Sequence, residues 1–143
     1  MAVTVKEIVL WRREIANQPG MLSQVLDPLA DSRVDLKVLM GYRYPGNDAK
    51  GAVELYPIAG KKAAAAARAA GLTPADIPAI LVEGANRPGI GYATTRAIAD
   101  AGINLAFLIG QVVGSKFSAV YGFDNESDRR RAVSLLKKPQ RTR

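Results

Sequence analysis

The chain has 143 residues, 48% of them hydrophobic, with no cysteine and no histidine. That is enough apolar material for one or two compact domains and too much for a disordered or fibrous chain. The missing residue types exclude a disulfide framework, a thiolate nucleophile and a zinc cluster, and remove the commonest general base. The net charge of +7 is local: residues 129–143 carry seven basic side chains (Arg129, Arg130, Arg131, Lys137, Lys138, Arg141, Arg143) and no acid, so the rest is neutral. Such a tail is ordinarily solvated; its functional reading would be sequence-independent phosphate contact. The longest uncharged run, 101–115, is shorter than the roughly 18 to 20 residues a bilayer requires, and the start lacks a secretory pattern. A soluble cytoplasmic protein away from membranes is the expectation.

In chain order, residues 3–16 (Val3, Val5, Ile8, Val9, Trp11, Ile15) read as one strand, ended by Pro19-Gly20. Met21, Leu22, Val25, Leu26 and Leu29 then fall on one face of a helix. Pro28 removes a backbone donor there, a cost of about 3 kcal/mol, which predicts a kink or an end near Asp27. Residues 34–44 and 52–58 form a hairpin around Pro45-Gly46-Asn47-Asp48. Residues 61–70 are an alanine-rich helix stopped by Gly71, and 73–77 is a short extended piece.

The same order then returns. Asn17-Gln18-Pro19-Gly20-Met21 recurs as Asn86-Arg87-Pro88-Gly89-Ile90, 69 residues on, and Val34-Asp35-Leu36 as Ile103-Asn104-Leu105. The second helix lacks the proline and places Ile90, Ala93, Ala97, Ile98 and Ala101 on one face. A second hairpin spans 103–113 and 117–124, with Ala119-Val120 answering Ala52-Val53 at an offset of 67, so its turn reads as two residues shorter. A last helix, 127–138, is entered through Asp124-Asn125. An offset near 70 exceeds the roughly 20 to 50 residues of solenoid repeats, so the pattern is a duplicated domain. The expected fold class is α+β: two tandem ferredoxin-like βαββαβ domains, 1–72 and 73–138, each an antiparallel sheet with helices on one face, then a basic tail 139–143. The piece at 73–77 would close the first sheet; only the tail is left to close the second.

A strand, then Asn-x-Pro-Gly opening an apolar helix, then Gly102-Ile103-Asn104-Leu105 opening the next strand, resembles the ACT domain family of regulatory amino-acid-binding modules. The first copy fits less fully, with Arg33 in place of the glycine before Val34-Asp35-Leu36. The resemblance implies a non-enzymatic regulatory protein that binds a free amino acid where the turn after the first strand faces a neighbouring ACT domain. It implies domains pairing through their second strands, hence a homodimer joined by strand edges, and a regulated enzyme in amino-acid metabolism as partner. The chemistry is coherent. Amides at Gly20, Met21 and Leu22, and at Gly89, Ile90 and Gly91, lie at helix N-termini, where a carboxylate is attracted and glycine permits close approach. Asn17, Asn86, Asn104 and Gln111 offer acceptors to an ammonium group, and Arg87 a charge-assisted contact to the carboxylate. The second copy, with Gly91, Asn104 and Gln111, reads as the better site. Asn17 and Asn86 are equally turn or cap residues by position, and Glu14 and Glu83 read as solvated strand residues. No cofactor, metal or catalytic residue is assigned.

Rivals fare less well. Gly89-Ile90-Gly91 fails as a dinucleotide fingerprint at Thr94, and Gly60-Lys61 lacks the rest of a phosphate loop. A single-stranded RNA-binding sheet would use Phe117, Tyr121 and Phe123 beside Lys116, together with the basic tail, and requires those rings to be exposed. An enzyme built on Glu14, Glu83 and Asp35 has no spacing to support it.

Overall fold

The computed structural model describes residues 3–139. In chain order the elements are β1 (Thr4–Ile8), β2 (Trp11–Ala16), α1 (Met21–Asp31), β3 (Val38–Tyr44), β4 (Asn47–Tyr56), α2 (Gly60–Ala69), β5 (Thr73–Pro74), β6 (Ala79–Ala85), α3 (Ile90–Asp100), β7 (Leu105–Val113), β8 (Lys116–Phe123) and α4 (Glu126–Leu136). They form two four-stranded antiparallel sheets and two compact units. The fold is α+β, two ferredoxin-like βαββαβ units.

The unit Val9–Asp76 has strand order β3-β4-β2-β5. Trp11, Val53 and Leu55 project from the sheet to meet Val25 and Leu29 of α1 and Ala66 and Ala67 of α2. Of the expected kink or end near Asp27, the end is excluded: α1 continues through Pro28 to Asp31. Proline removes only the donor to the Gln24 carbonyl, in the last turn, and Leu29 is anchored in the core.

The other unit takes residues 77 onward together with the N-terminal segment through Ile8; its strand order is β1-β6-β8-β7. The single strand expected over 3–16 is therefore two strands that enter different sheets. Ile8 and Leu10 are both buried, and Val9 between them is 52% exposed. The boundary expected after residue 72 is overturned on the same ground, because Thr4 pairs with Glu83 and Ile8 with Ala79. The strand closing the second sheet is thus the chain's first strand and not its tail, of which Arg141 and Arg143 lie outside the described residues. The short extended piece does close the first sheet, with Trp11 opposite Pro74.

Repeat spacing holds at 69 from β2 and β6 through α1 and α3 to β3 and β7, and falls to 66 from Gly51 and Phe117 onward. The two hairpin turns are of equal length, correcting the shorter second turn. The difference is a bulge in β4, where Arg43 pairs with Gly51 and Tyr44 with Asn47. Phe117, Tyr121 and Phe123 are buried against Ile98, Ile103 and Leu136, so the RNA-binding reading loses its stacking platform. The alternation along β8 turns these rings toward the helices. Tyr121 is satisfied internally, its hydroxyl 2.5 Å from Thr94 Oγ1.

Two of the basic residues near the C-terminus are structural. Arg131 donates to the Ala101 carbonyl at 2.7 Å. Arg129, its side chain only 14% exposed, donates to the Ile8 and Ala79 carbonyls at 3.3 and 3.4 Å and pairs with Glu126 and Glu7. It fastens α4 to the β1–β6 pair. Arg129→Ala leaves those groups without their donor, and about 1–3 kcal/mol of lost stability is expected. Hydrogen exchange should quicken in β1 and β6 and stay unchanged in β2 and β4.

Candidate functional site

After β2 the chain turns tightly. Asn17 donates from its backbone N–H to the Ala49 carbonyl at 2.9 Å and from its side-chain Nδ2 to the Asp48 carbonyl at 2.7 Å, which pins the turn to the start of β4. Gly20 precedes α1 at φ +85°, a left-handed conformation that an L side chain rarely adopts. It caps the helix without a side-chain bond. Met21 N donates to the Gln18 carbonyl and Gln24 N to the Gly20 carbonyl, leaving the Leu22 and Ser23 amides among the helix's open donors.

Beside this turn lies a cavity of about 230 Å³. Ile15, Met21 and Leu22 give it an apolar wall; Asn17, Gln18 and Arg43 supply polar groups; Gly41 and Gly51 lie in its lining. The glycine at 51 is obligatory, since a Cβ there would stand 2.2 Å from the Tyr42 carbonyl oxygen. Close packing of two strands at the bulge thus removes a side chain and leaves the space open.

The stretch of β3 that lines the cavity is held from the opposite face of the sheet. Gly41 and Arg43 point toward the helices, Tyr42 and Tyr44 away from them. Tyr42 donates to Glu54 Oε2 at 2.8 Å, and Glu54, only 3% exposed, keeps Oε1 without a partner. Burial, then the Glu54 bond, push the Tyr42 hydroxyl pKa up. Arg12 donates to the Tyr44 hydroxyl, which donates to Glu14 Oε2 at 3.0 Å, and Lys50 stands 3.3 Å from Glu14. The Tyr44 bond first, and Lys50 second, hold the Glu14 carboxyl below its ordinary range.

In the other unit, Asn86 N donates to the Ser115 carbonyl, Gly89 is again left-handed at φ +88°, and Ala93 N donates to the Gly89 carbonyl. Ile90 is buried, so it offers its backbone alone; Gly91 leaves open space where α1 carries Leu22. Arg87 and Gln111 are exposed at this end of the sheet. Asn104 is at the other end. It precedes Leu105, which pairs with Phe123, whereas Ala85 pairs with Lys116, seven positions away along β8 and about 23 Å at ~3.3 Å per residue. The set Asn86, Asn104 and Gln111 is therefore not brought together. The cavity described above lies in the first repeat. Of the expected residues, Asn17, Met21 and Leu22 line it, and Gly20 shapes its turn. Ile15, Ala16, Gln18, Gly41, Tyr42, Arg43 and Gly51 were missed, although Tyr42 sits one repeat before Gln111. Glu14 and Glu83 belong to different units, Asp35 pairs with Lys37, and no acidic group among the described residues is arranged to hold a metal ion. No described helix is long and apolar enough to cross a membrane.

No family model and no curated protein matches the sequence. Solved structures do. Protein BT0572 from Bacteroides thetaiotaomicron is similar with a TM-score of 0.77 at 14% identity, covering 96% of this chain and 94% of that one. The regulatory subunit of aspartate kinase from Thermus thermophilus, in its ligand-free form, has a TM-score of 0.60 at 17% identity over 96% of this chain and 99% of that one. The chain shares the fold of that regulatory subunit. Aspartate kinase from Synechocystis has a TM-score of 0.60 at 21% identity over 94% of this chain, which matches 26% of that longer enzyme. The likeness thus spans about a quarter of that enzyme and nearly the whole of the separate regulatory subunit.

A titration checks the network behind the cavity. A depressed native pKa adds stability that is present above the ordinary carboxylate range and is lost as pH falls through the depressed value. Tyr44→Phe removes the largest cause, so the Glu14 midpoint followed by NMR should rise toward the ordinary value, and Lys50→Met should raise it less.

Proposed function

We propose that the protein is a non-enzymatic amino-acid sensor that binds one free amino acid in the cavity beside α1 and passes the bound state to an enzyme of amino-acid metabolism. The observation that carries this reading is the cavity itself, an apolar space opening on the start of a helix with a cation at its edge. The ligand carboxylate meets the Leu22 and Ser23 amides, the positive end of the helix dipole and Arg43. Asn17 has committed Nδ2 to Asp48, so Oδ1 remains to accept from the ligand ammonium. The side chain lies against Ile15, Met21 and Leu22, which selects an uncharged, apolar amino acid. A volume near 230 Å³ holds about seven waters at ~30 Å³ each, small for a nucleotide and suited to one amino acid.

Pairing with a second copy fits the same geometry. β3 and β7 are outer strands of their sheets, and they expose Leu39 and Tyr42, and Leu108, Ile109, Val112 and Val113. Exposed apolar strand edges seek a partner strand. A dimer joined along β3 places the Arg43 side of the cavity at the boundary between two ACT-like domains. The likeness to regulatory subunits of aspartate kinase supports an enzyme as the downstream partner.

Thermal unfolding against the twenty free amino acids at millimolar concentration tests the reading. One or two apolar amino acids should raise the midpoint by several degrees, since ligand at 100 times its dissociation constant stabilises by about 2.7 kcal/mol. Silence across the panel overturns it. Arg43→Ala should weaken binding about tenfold, the loss of one charge-assisted contact, and sedimentation should show a dimer.

A further inference from the structure

We infer that the two repeats are unequal as sites: each chain binds one amino acid, in the unit Val9–Asp76, because Phe117 occupies the matching space in the other unit. The inference rests on the reading that the cavity takes an amino acid.

Sheet register makes the comparison residue by residue. Gly51 stands opposite Ile15 on one side and Arg43 on the other; Phe117 stands opposite Gly84 and Val112, each 69 residues on. Gly51 and Phe117 therefore occupy the same point of equivalent sheets, on the side facing the helices and beside the turn. At the first point the Tyr42 carbonyl forbids any side chain, and the cavity lies there. At the second a benzyl group stands instead, 8% exposed, with Cε1 3.7 Å from the position a Cβ on Gly110 would take. Gly110 is the counterpart of Gly41, which lines the cavity.

The neighbours have changed in concert. Ile15 and Leu22, which wall the cavity from strand and helix, are matched by Gly84 and Gly91. Two aliphatic side chains at the rim have become one ring at the centre, so similar apolar volume is packed with the space filled. The cation at Arg43 is matched by Val112. Arg87 restores a positive charge on the second turn, but the Phe117 ring stands at the point where the first unit has its cavity. The bulge in β4 is the root of the difference, since it brings Tyr42 close enough to require glycine at 51.

Isothermal titration of the full chain with L-leucine, L-isoleucine, L-valine and L-methionine reads the stoichiometry directly; one ligand per chain is expected. Gly41→Leu directs a side chain into the first cavity, and its Cβ would meet only the movable methyls of Leu22, the nearer at 3.3 Å. It should weaken binding by more than tenfold with the unfolding midpoint kept, whereas Arg87→Ala should change affinity less than twofold. Two ligands per chain, or loss of binding in Arg87→Ala with Gly41→Leu unaffected, overturns the inference and leaves the sensor reading standing. Absence of binding by all twenty amino acids overturns the sensor reading, and this inference with it.

Discussion

The pairing of β1 with β6 organises the molecule. Without it β6 would be a sheet edge with unpaired N–H and C=O groups, and the core around Ile80 and Val82 would lack one flank. The chain's first strand supplies that flank, running antiparallel from Thr4 opposite Glu83 to Ile8 opposite Ala79. The unit Val9–Asp76 is consequently inserted between the first strand and the rest of the other unit. Its entry and exit are neighbours, joined by the bond from Ala75 N to the Leu10 carbonyl at 2.7 Å. An insertion whose ends meet costs its host little, because the host strands flanking it, β1 and β6, are themselves adjacent.

A second constraint is local and shapes the site. The bulge in β4 draws Gly51 against Tyr42 and opens the cavity, while the hydrogen bonds from Tyr42 to Glu54 and from Arg12 through Tyr44 to Glu14 hold the strand on the reverse face. Cavity and polar network are two sides of one strand. The buried Glu54 shows how firmly that strand is placed, since a carboxylate with one unpartnered oxygen is expensive to keep and persists only where its surroundings are well determined.

The duplication was legible to the residue as far as the outer strands, and one residue out in the strands that follow, where an offset of 67 is read and the register is 66. An offset of 69 predicted equivalent turns, helices and outer strands, and α1 and α3 keep it at both ends. Asn125 was legible as a helix cap, and its side chain accepts from Asp128 N at 2.8 Å. The split of residues 3–16 was less so. Ile8, Val9, Leu10 and Trp11 are four apolar residues in succession, which a strand with one buried face does not need, and that lapse of alternation marks the crossing. The bulge left only the drop in repeat offset across the hairpin, which reads as a shorter second turn because Asp48, Ala49 and Lys50 are ordinary turn and strand residues.

Apart from the division of residues 3–16 into two strands, the sequence by itself determined the elements, their duplication and the glycine turns that begin two of the helices, because these depend on interactions between residues close together in the chain. Only the tertiary structure decided which sheet receives the first strand and which repeat holds the cavity. Both depend on register between segments distant in sequence: Ile8 against Ala79 for the strand, Gly51 and Phe117 against the strands on either side of them for the cavity. A shift of three residues at one bulge sets which side chain occupies a given point of the sheet, and the change of repeat offset along the chain does not say where in the hairpin the extra residues lie.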